Sequence, residues 1–519
     1  VSAATPSLSP ADAAAPTDSH QDEFLSTEQV RADLDRRTAR AGTVSLVANA
    51  IAWVMNVSAT MLLARLLRPS DFGLLAMVTV VTGFLANFAD FGFSTAATQR
   101  ATLTQAQVSG LFWVNLRISI LNALLLAGSA PLLAWFYGEQ SLVAITLVLA
   151  IGTLAMGISM LQLGLLRRQM RFGTVVGIDL AAMTISIAAG IGLAVAGAGY
   201  WALVAQQVLL QVLQAAGLWM LCRWRPSRPS RSATMKDPEL RELMSFGTYA
   251  TAAKLVNYIG RQIDQVLVGR MVGAGPLGLY SKAYTWAMMP FHQVYYPLMG
   301  VVVSSLSRLQ DDPGRYRHYV RTALLGIFGA TFGAMALLYI KAEDGLLLLL
   351  GGQWIDAIPI FRTLTIAAVA MSFNHVTRWI YLAEGRTRRG LHWSLISTGT
   401  MIAGAAIGAR WGAMGVATGV AIAAWVLVYP ALVFCLSQSP LRIRDLAGAA
   451  WRPGVAALAA GAVLVLFERW TPTIEWRLVR LIVAMGVYAV AYGGIWLAIP
   501  GGWASLRGLM AAARHAKGR

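Results

Sequence analysis

From Thr43 onward the chain alternates long apolar runs with short polar breaks. Runs of bilayer-spanning length recur at 43–67, 72–92, 107–136, 141–164, 174–196, 200–222, 245–269, 277–305, 320–340, 357–383, 391–409, 413–437, 453–468 and 477–499. A helix needs roughly 20 mostly apolar residues to cross about 30 Å of hydrocarbon. The pattern therefore predicts an all-α polytopic membrane protein with fourteen transmembrane helices. The run at 453–468 is short, and 442–452 reads as an interfacial lead-in to it.

The basic residues supply an independent register. With the N-terminus inside, 28 of the 42 Lys and Arg fall in the tails and the connections after even-numbered spans. The opposite connections hold 7: Arg65, Arg68, Arg270, Lys341, Arg410, Arg469 and Arg477. Cytoplasmic loops are the ones enriched in Lys and Arg, so both termini are expected on the cytoplasmic side. Removing one span would scramble this alternation.

A short internal repeat divides the array. ARLLRPSDFGLL (Ala64–Leu75) follows the first span and GRMVGAGPLGLY (Gly269–Tyr280) follows the seventh, with Arg65 and Gly73 matching Arg270 and Gly278 at an offset of 205. Six spans separate the copies, so the two halves share one orientation and form pseudo-symmetric six-helix lobes. The expected organisation is a disordered cytoplasmic N-tail (1–42), an N-lobe (43–222), a basic cytoplasmic linker (223–244), a C-lobe (245–437), a further helix pair (438–502) and a basic amphipathic C-tail (503–519).

The seventh span carries more polarity than a lipid-facing helix tolerates. At 3.6 residues per turn Lys254, Tyr258, Arg261 and Gln265 share one side, with Asn257 and Asp264 beside them. Ionised groups in hydrocarbon cost several kcal/mol, so such a stripe turns toward protein or water. Other spans add Asn49 and Asn56 on one face of the first, Arg117 in the third, and Lys282 with Trp286 on one face of the eighth. Asn374, His375 and Arg378 lie in the tenth. Some of these have plain explanations: Asn and Ser bond between helices, Arg362 and Arg480 can snorkel, and Asp264 can neutralise Arg261 one turn away. Arg117, Lys254, Arg261, Lys282 and Arg378 together outnumber the acids near mid-membrane. An aqueous, cationic lumen that receives a phosphate or pyrophosphate accounts for them, with Asn49, Asn56, Asn257, Tyr258, Asp264, Trp286 and Asn374 in support.

Composition agrees. Hydrophobic residues make up 57% and charged residues 13%, far below the charged share of a soluble domain. The net charge of +18 belongs to the basic loops, so nucleic acid is not an expected partner. Cys222 and Cys435 give neither a disulfide framework nor a metal site, and no cofactor is expected. No Walker A sequence and no catalytic constellation is present, so the chain does not read as an enzyme.

LLARLLRPSDFGLLAM (Leu62–Met77), FADFGFSTAATQR (Phe88–Arg100), LVNYIGRQIDQVLVGRMVGAGPLGLYSKAY (Leu255–Tyr284), LGGQWIDAIPIFRTL (Leu350–Leu364) and YLAEGRTRRG (Tyr381–Gly390) resemble the polysaccharide (O-antigen and exopolysaccharide) transporter family. That family lies within the superfamily of multidrug, oligosaccharidyl-lipid and polysaccharide flippases, and the resemblance is to its colanic-acid-like exporter branch. It implies a flippase of the bacterial inner membrane for undecaprenyl-pyrophosphate-linked oligosaccharide repeat units, working by alternating access. It also implies a polyprenyl-tail groove on the last two helices, and a polysaccharide polymerase or export machinery as partner. Three other readings stay open: a drug or cation antiporter of the same fold, a lipid II flippase, and a non-transporting partner of a polymerase.

Overall fold

The computed structural model describes residues 34–89, 105–227, 258–471, 476–503 and Arg507, and among these residues it contains no strand. The first lobe comprises α1 (Leu34–Leu66), α2 (Pro69–Ala89), α3 (Gln105–Tyr137), α4 (Ser141–Arg168), α5 (Phe172–Val195) and α6 (Tyr200–Leu221). The second comprises α7 (258–271), α8 (Ala274–Ser307), α9 (Pro313–Ile340), a short α10 (Ala342–Leu350), α11 (Ala357–Ala383), α12 (Thr387–Gly408) and α13 (Gly412–Leu436). The closing pair is α14 (Ile443–Trp470) and α15 (Arg477–Ala498).

Each apolar run of the sequence thus finds a helix, the seventh being described from residue 258. Eleven stretches among the described residues are long and apolar enough to cross a membrane, and one of them, Arg388–Leu436, holds both α12 and α13. Three features were not anticipated. The first helix begins at Leu34, within the tail 1–42 expected to be disordered. The segment 442–452 is the opening of α14 itself, capped by the Asp445 carboxylate on the Arg442 backbone N–H. The α10 turn lies inside the connection between α9 and α11.

The two lobes repeat one packing scheme. In the first, α2 packs on α3 and α4, α4 on α6, α5 on α6, and α1 on α5. In the second, α8 packs on α9 and α11, α11 on α13, and α12 on α13, while Thr398 of α12 fills the space beside Gly260 of α7.

The lobes join at the end of the molecule where α1 turns into α2, called here the upper end. There α2 crosses α8 through a reciprocal contact. A Cβ on Gly73 would lie 1.8 Å from the Ala274 carbonyl oxygen, and a Cβ on Gly278 would lie 1.8 Å from that of Pro69. Pro69 and Ala274 are themselves separated by 205 positions, as are Gly73 and Gly278, so the pseudo-twofold axis passes between these residues. Lipid offers no hydrophobic drive for helix association, and small residues let backbones approach until dispersion holds them. Around this crossing one buried cluster draws on both lobes, including Leu63, Phe72 and Tyr137 from the first and Leu277, Trp354 and Phe361 from the second.

The turn after α10 closes over the α1–α2 corner. Gln353 donates to the carbonyls of Ala64 and Leu67, Trp354 Nε1 donates to Ala64 O at 2.9 Å, and Arg65 donates to Leu348 O. The matching corner of the other lobe is covered likewise: the Arg270 guanidinium lies 5.6 Å from the ring centroid of Phe136, at the end of α3.

The closing pair belongs to the second lobe. Tyr492 and Trp496 of α15 press onto α9, where the Tyr492 hydroxyl donates to Gly329 O at 2.8 Å and the Trp496 ring occupies the space a side chain at Gly329 would need. Near the upper end Arg480 pairs with Asp344, and Lys341 with Asp344 and Glu468. Arg480 therefore has a specific partner, whereas Arg362 has no carboxylate among the described residues and reaches across to α9, donating to Tyr339 O at 3.3 Å. At the opposite end Arg321 pairs with Asp445. The linker begins as a docked piece. Trp224 is fully buried against Phe112 of α3, and Arg225 donates to the carbonyls of Trp219, Cys222 and Trp224.

Two outcomes follow from this packing. Trp496→Ala empties the site over Gly329 and costs about 3 kcal/mol, read as a lower melting temperature in detergent, while Tyr492→Phe costs only about 1 kcal/mol. Gly73→Leu cannot keep the α2–α8 crossing. A cysteine at Leu277, fully buried in the native chain, becomes reactive to a membrane-impermeant thiol reagent when Gly73→Leu is added. Equal protection in both backgrounds would show that the crossing does not hold the lobes together.

Candidate functional site

A cavity of about 380 Å³ lies within the second lobe, walled by α7, α8, α11, α12 and α13. It gathers Arg261 and Asp264 from α7, Tyr284 and His292 from α8, Asn374, His375 and Arg378 from α11, and Ser394, Ser397 and Thr398 from α12. The helical periods explain the convergence. Arg261 and Asp264 are three apart on one helix, as are His375 and Arg378, and Ser394, Ser397 and Thr398 follow the i, i+3, i+4 rule.

The charges are arranged unequally. Asp264 is buried and accepts from the Tyr280 hydroxyl at 2.7 Å and the Gln265 backbone N–H at 2.8 Å. It forms no ion pair with Arg261. Arg261 instead reaches the Tyr296 hydroxyl at 3.3 Å, and its guanidinium is exposed toward the cavity mouth. Arg378 is also exposed at the wall. Among the described residues neither guanidinium has a carboxylate partner. Buried beside them, the Asn374 side-chain oxygen has no hydrogen-bond partner. Aromatic rings pack the inner wall, with His375 at 4.9 Å from Phe291 and 4.8 Å from Tyr295.

Of the residues expected from the sequence, Arg261, Asp264, Asn374 and Arg378 come together here. Tyr258 stands at the lobe interface, its hydroxyl donating to Val80 O of α2 at 2.9 Å and accepting from Gln262. Lys282 lies apart, beneath the upper crossing, with Nζ 4.5 Å from the Phe72 ring centroid. Trp286, two turns from the cavity's His292, packs against the cluster shared by the two lobes. Arg117 occupies an exposed stripe of α3 with Leu121, Leu124 and Leu132, and is not part of the cavity wall. Asn49 and Asn56 are exposed on one face of α1. Lys254 and Asn257 lie outside the described residues.

The sequence did not single out Tyr280 as the partner of Asp264, nor the hydroxyl row of α12. Three hydroxyls at helical spacing were the available signal, but in a membrane helix such residues usually bond their own backbone, as Ser397 does to Ser394 O.

The arrangement can hold an anion: two guanidiniums in a confined, partly apolar space, opposite hydroxyls that can donate. Among the described residues no group of three or more His, Cys, Asp or Glu could hold a metal ion.

Comparison with known proteins follows the same direction. The polysaccharide biosynthesis protein family matches residues 62–359. The chain is 28% identical over 59% of its length to the teichuronic acid biosynthesis protein TuaB of Bacillus subtilis, covering 62% of that protein. It is 23% identical over 74% of its length to the lipopolysaccharide biosynthesis protein WzxC of Escherichia coli, covering 78% of it. With the succinoglycan biosynthesis transport protein ExoT of Rhizobium meliloti, identity is 27% over 59% of this chain and 61% of ExoT. In fold it is similar to the lipid II flippase MurJ in an inward closed conformation, with a TM-score of 0.67, 14% identity and coverage of 87% of this chain and 98% of MurJ. An inward-facing multidrug resistance MATE family transporter follows at 0.60, with 14% identity and coverage of 75% and 94%. Since the family match covers more than half of the chain, this protein belongs to the polysaccharide biosynthesis protein family.

Proposed function

We propose that this protein is a flippase, not an enzyme, that carries undecaprenyl-pyrophosphate-linked oligosaccharide repeat units across the bacterial cytoplasmic membrane for polysaccharide biosynthesis. The observation that carries the reading is the pair Arg261 and Arg378, without carboxylate partners among the described residues, at a cavity in the second lobe. The names of TuaB, WzxC and ExoT all concern polysaccharides, and ExoT's includes transport, which supports the cargo class.

In this reading the fourteen spans place both termini in the cytoplasm and the upper end outside. Arg261 and Arg378 contact the pyrophosphate; Lys254 and Asn257, candidates from the sequence pattern alone, lie outside the described residues. The prenyl tail stays in lipid against α14 and α15, so only the polar head needs a hydrated path through about 30 Å of hydrocarbon. The lobes, joined at the upper end, would rock open there to release the head outside. A potential negative inside favours outward movement by about 2.3 kcal/mol per charge per 100 mV. Downstream, a polysaccharide polymerase or export machinery receives the product. Cation extrusion fits less well, because Asp264, the carboxylate in the cavity wall, is committed to Tyr280.

Deleting the gene should cause a lipid-linked oligosaccharide to accumulate on the inner leaflet, identified by mass spectrometry of extracted lipids. Complementation with Arg261→Ala or Arg378→Ala should leave export about thirtyfold down at normal protein level, the loss of about 2 kcal/mol of charge-assisted binding. Lysine at either position should restore part of it, because a point charge replaces a bidentate fork. Wild-type export from both alanine variants would remove the cavity from the transport path.

A further inference from the structure

Lys282 is the cation that the cavity does not use. It stands on α8 two turns from the helix start, belongs to the second lobe, and enters no hydrogen bond or ion pair with any described residue. Its ammonium sits over the face of Phe72, 4.5 Å from the ring centroid, on α2 of the first lobe. Phe72 in turn is buried and meets Trp354 of the second lobe edge-on at 5.4 Å. Trp354 is fixed by its bond to Ala64 of α1. Phe72 is thus enclosed between Lys282 on one side and Trp354 on the other, and the next residue, Gly73, makes the backbone crossing onto Ala274. The ring cannot leave Lys282 unless α2 moves off α8.

We infer that Lys282 and Phe72 form a cation–π latch on the upper crossing, released when an anionic lipid head draws Lys282 away. The contact joins the two lobes, so it exists only while the upper end is closed. A ligand shifts a conformational equilibrium only through a difference in its interactions with the two states. An anion that pairs with Lys282 removes a contact that favours the closed state, and the opened state gains by the same amount. Lys282 is half-buried, and an ammonium over an aromatic face gains as water is excluded from it. A pyrophosphate offers the ammonium more than the ring does, whereas a neutral sugar offers less. The latch therefore makes opening depend on the phosphate-bearing end of the cargo. This inference rests on the lipid-pyrophosphate reading for its trigger, but not for the latch itself.

The test uses the full chain in nanodiscs with spin labels on cysteines placed at Gln140 and Arg410, at the upper ends of the first and second lobes, and with Cys222 and Cys435 replaced by alanine. Without ligand, Phe72→Leu and Lys282→Met should raise the fraction with widely separated labels about tenfold, while Phe72→Tyr and Lys282→Arg, which keep a cation over a ring, stay within about twofold of the parent. The same fraction in all five proteins overturns the latch. Added farnesyl pyrophosphate should raise the open fraction in the parent and produce no further rise in Lys282→Met, although that variant still binds it through the cavity. A Lys282→Met variant that responds by the parent's factor overturns the trigger. If the parent itself fails to bind farnesyl pyrophosphate, the cargo reading falls and the trigger with it, while the ligand-free comparison still decides the latch.

Discussion

Two helices meet at the upper end with no side chain between them. Gly73 of α2 lies on the Ala274 backbone and Gly278 of α8 lies on that of Pro69, and a buried cluster drawn from both lobes packs around this crossing. In a bilayer such closeness replaces the hydrophobic drive that water would supply. It also sets a geometric condition. Because the contact is reciprocal about a pseudo-axis, neither lobe can rotate there without separating both halves at once. The cover formed by Gln353 and Trp354 over α1, and by Phe136 over Arg270, is the same condition expressed one layer out.

The second organising fact is where the carboxylates go. Among the described residues the ion pairs are Arg321–Asp445, Lys341 with Asp344 and Glu468, Arg386–Glu384, and Arg480–Asp344. All lie near helix ends, in the second lobe or between it and the closing pair. Among the described residues Arg261, Arg378 and Lys282 have no carboxylate partner. A chain short of acids would leave its cations unpaired at random. Here the two unpaired guanidiniums, Arg261 and Arg378, meet at one cavity, which is the distribution expected when unpaired cations face a ligand.

The sequence made the helices legible because a spanning helix must satisfy its own backbone, so an apolar run of sufficient length has few alternatives. The run at 357–383 coincides with α11, and Pro290 and Pro297 lie within α8 without ending it. Boundaries were lost where polar residues cap a helix: Asp445 lets α14 begin at Ile443, ten residues before its apolar run. The offset of 205 between Arg65 and Arg270 identified the two halves, but not that the repeated glycines touch one another. Partners were the least legible. Spacing on one helix suggested Arg261 as the neighbour of Asp264, yet its neighbour is Tyr280 on the next helix. Likewise Arg480 finds Asp344, which lies 136 positions away. Helical period assigns a residue to a face and says nothing of which helix that face meets.

The distribution of sites between the lobes leads one step further. The cavity residues Arg261 and Arg378, the aromatic wall around His375, and the α14–α15 pair all belong to the second lobe or are fastened to it through Gly329, Arg321 and Lys341. The first lobe contributes α2 and its corner with α1, which bear on the seal and not on the cavity wall. If the polar head rests against α7 and α11 and its tail against α14 and α15, both ends of the cargo travel with one rigid body. The first lobe then acts as the opposing jaw. That division removes the need to hand a charged head from one lobe to the other in mid-membrane, where a guanidinium left without its anion would be most costly.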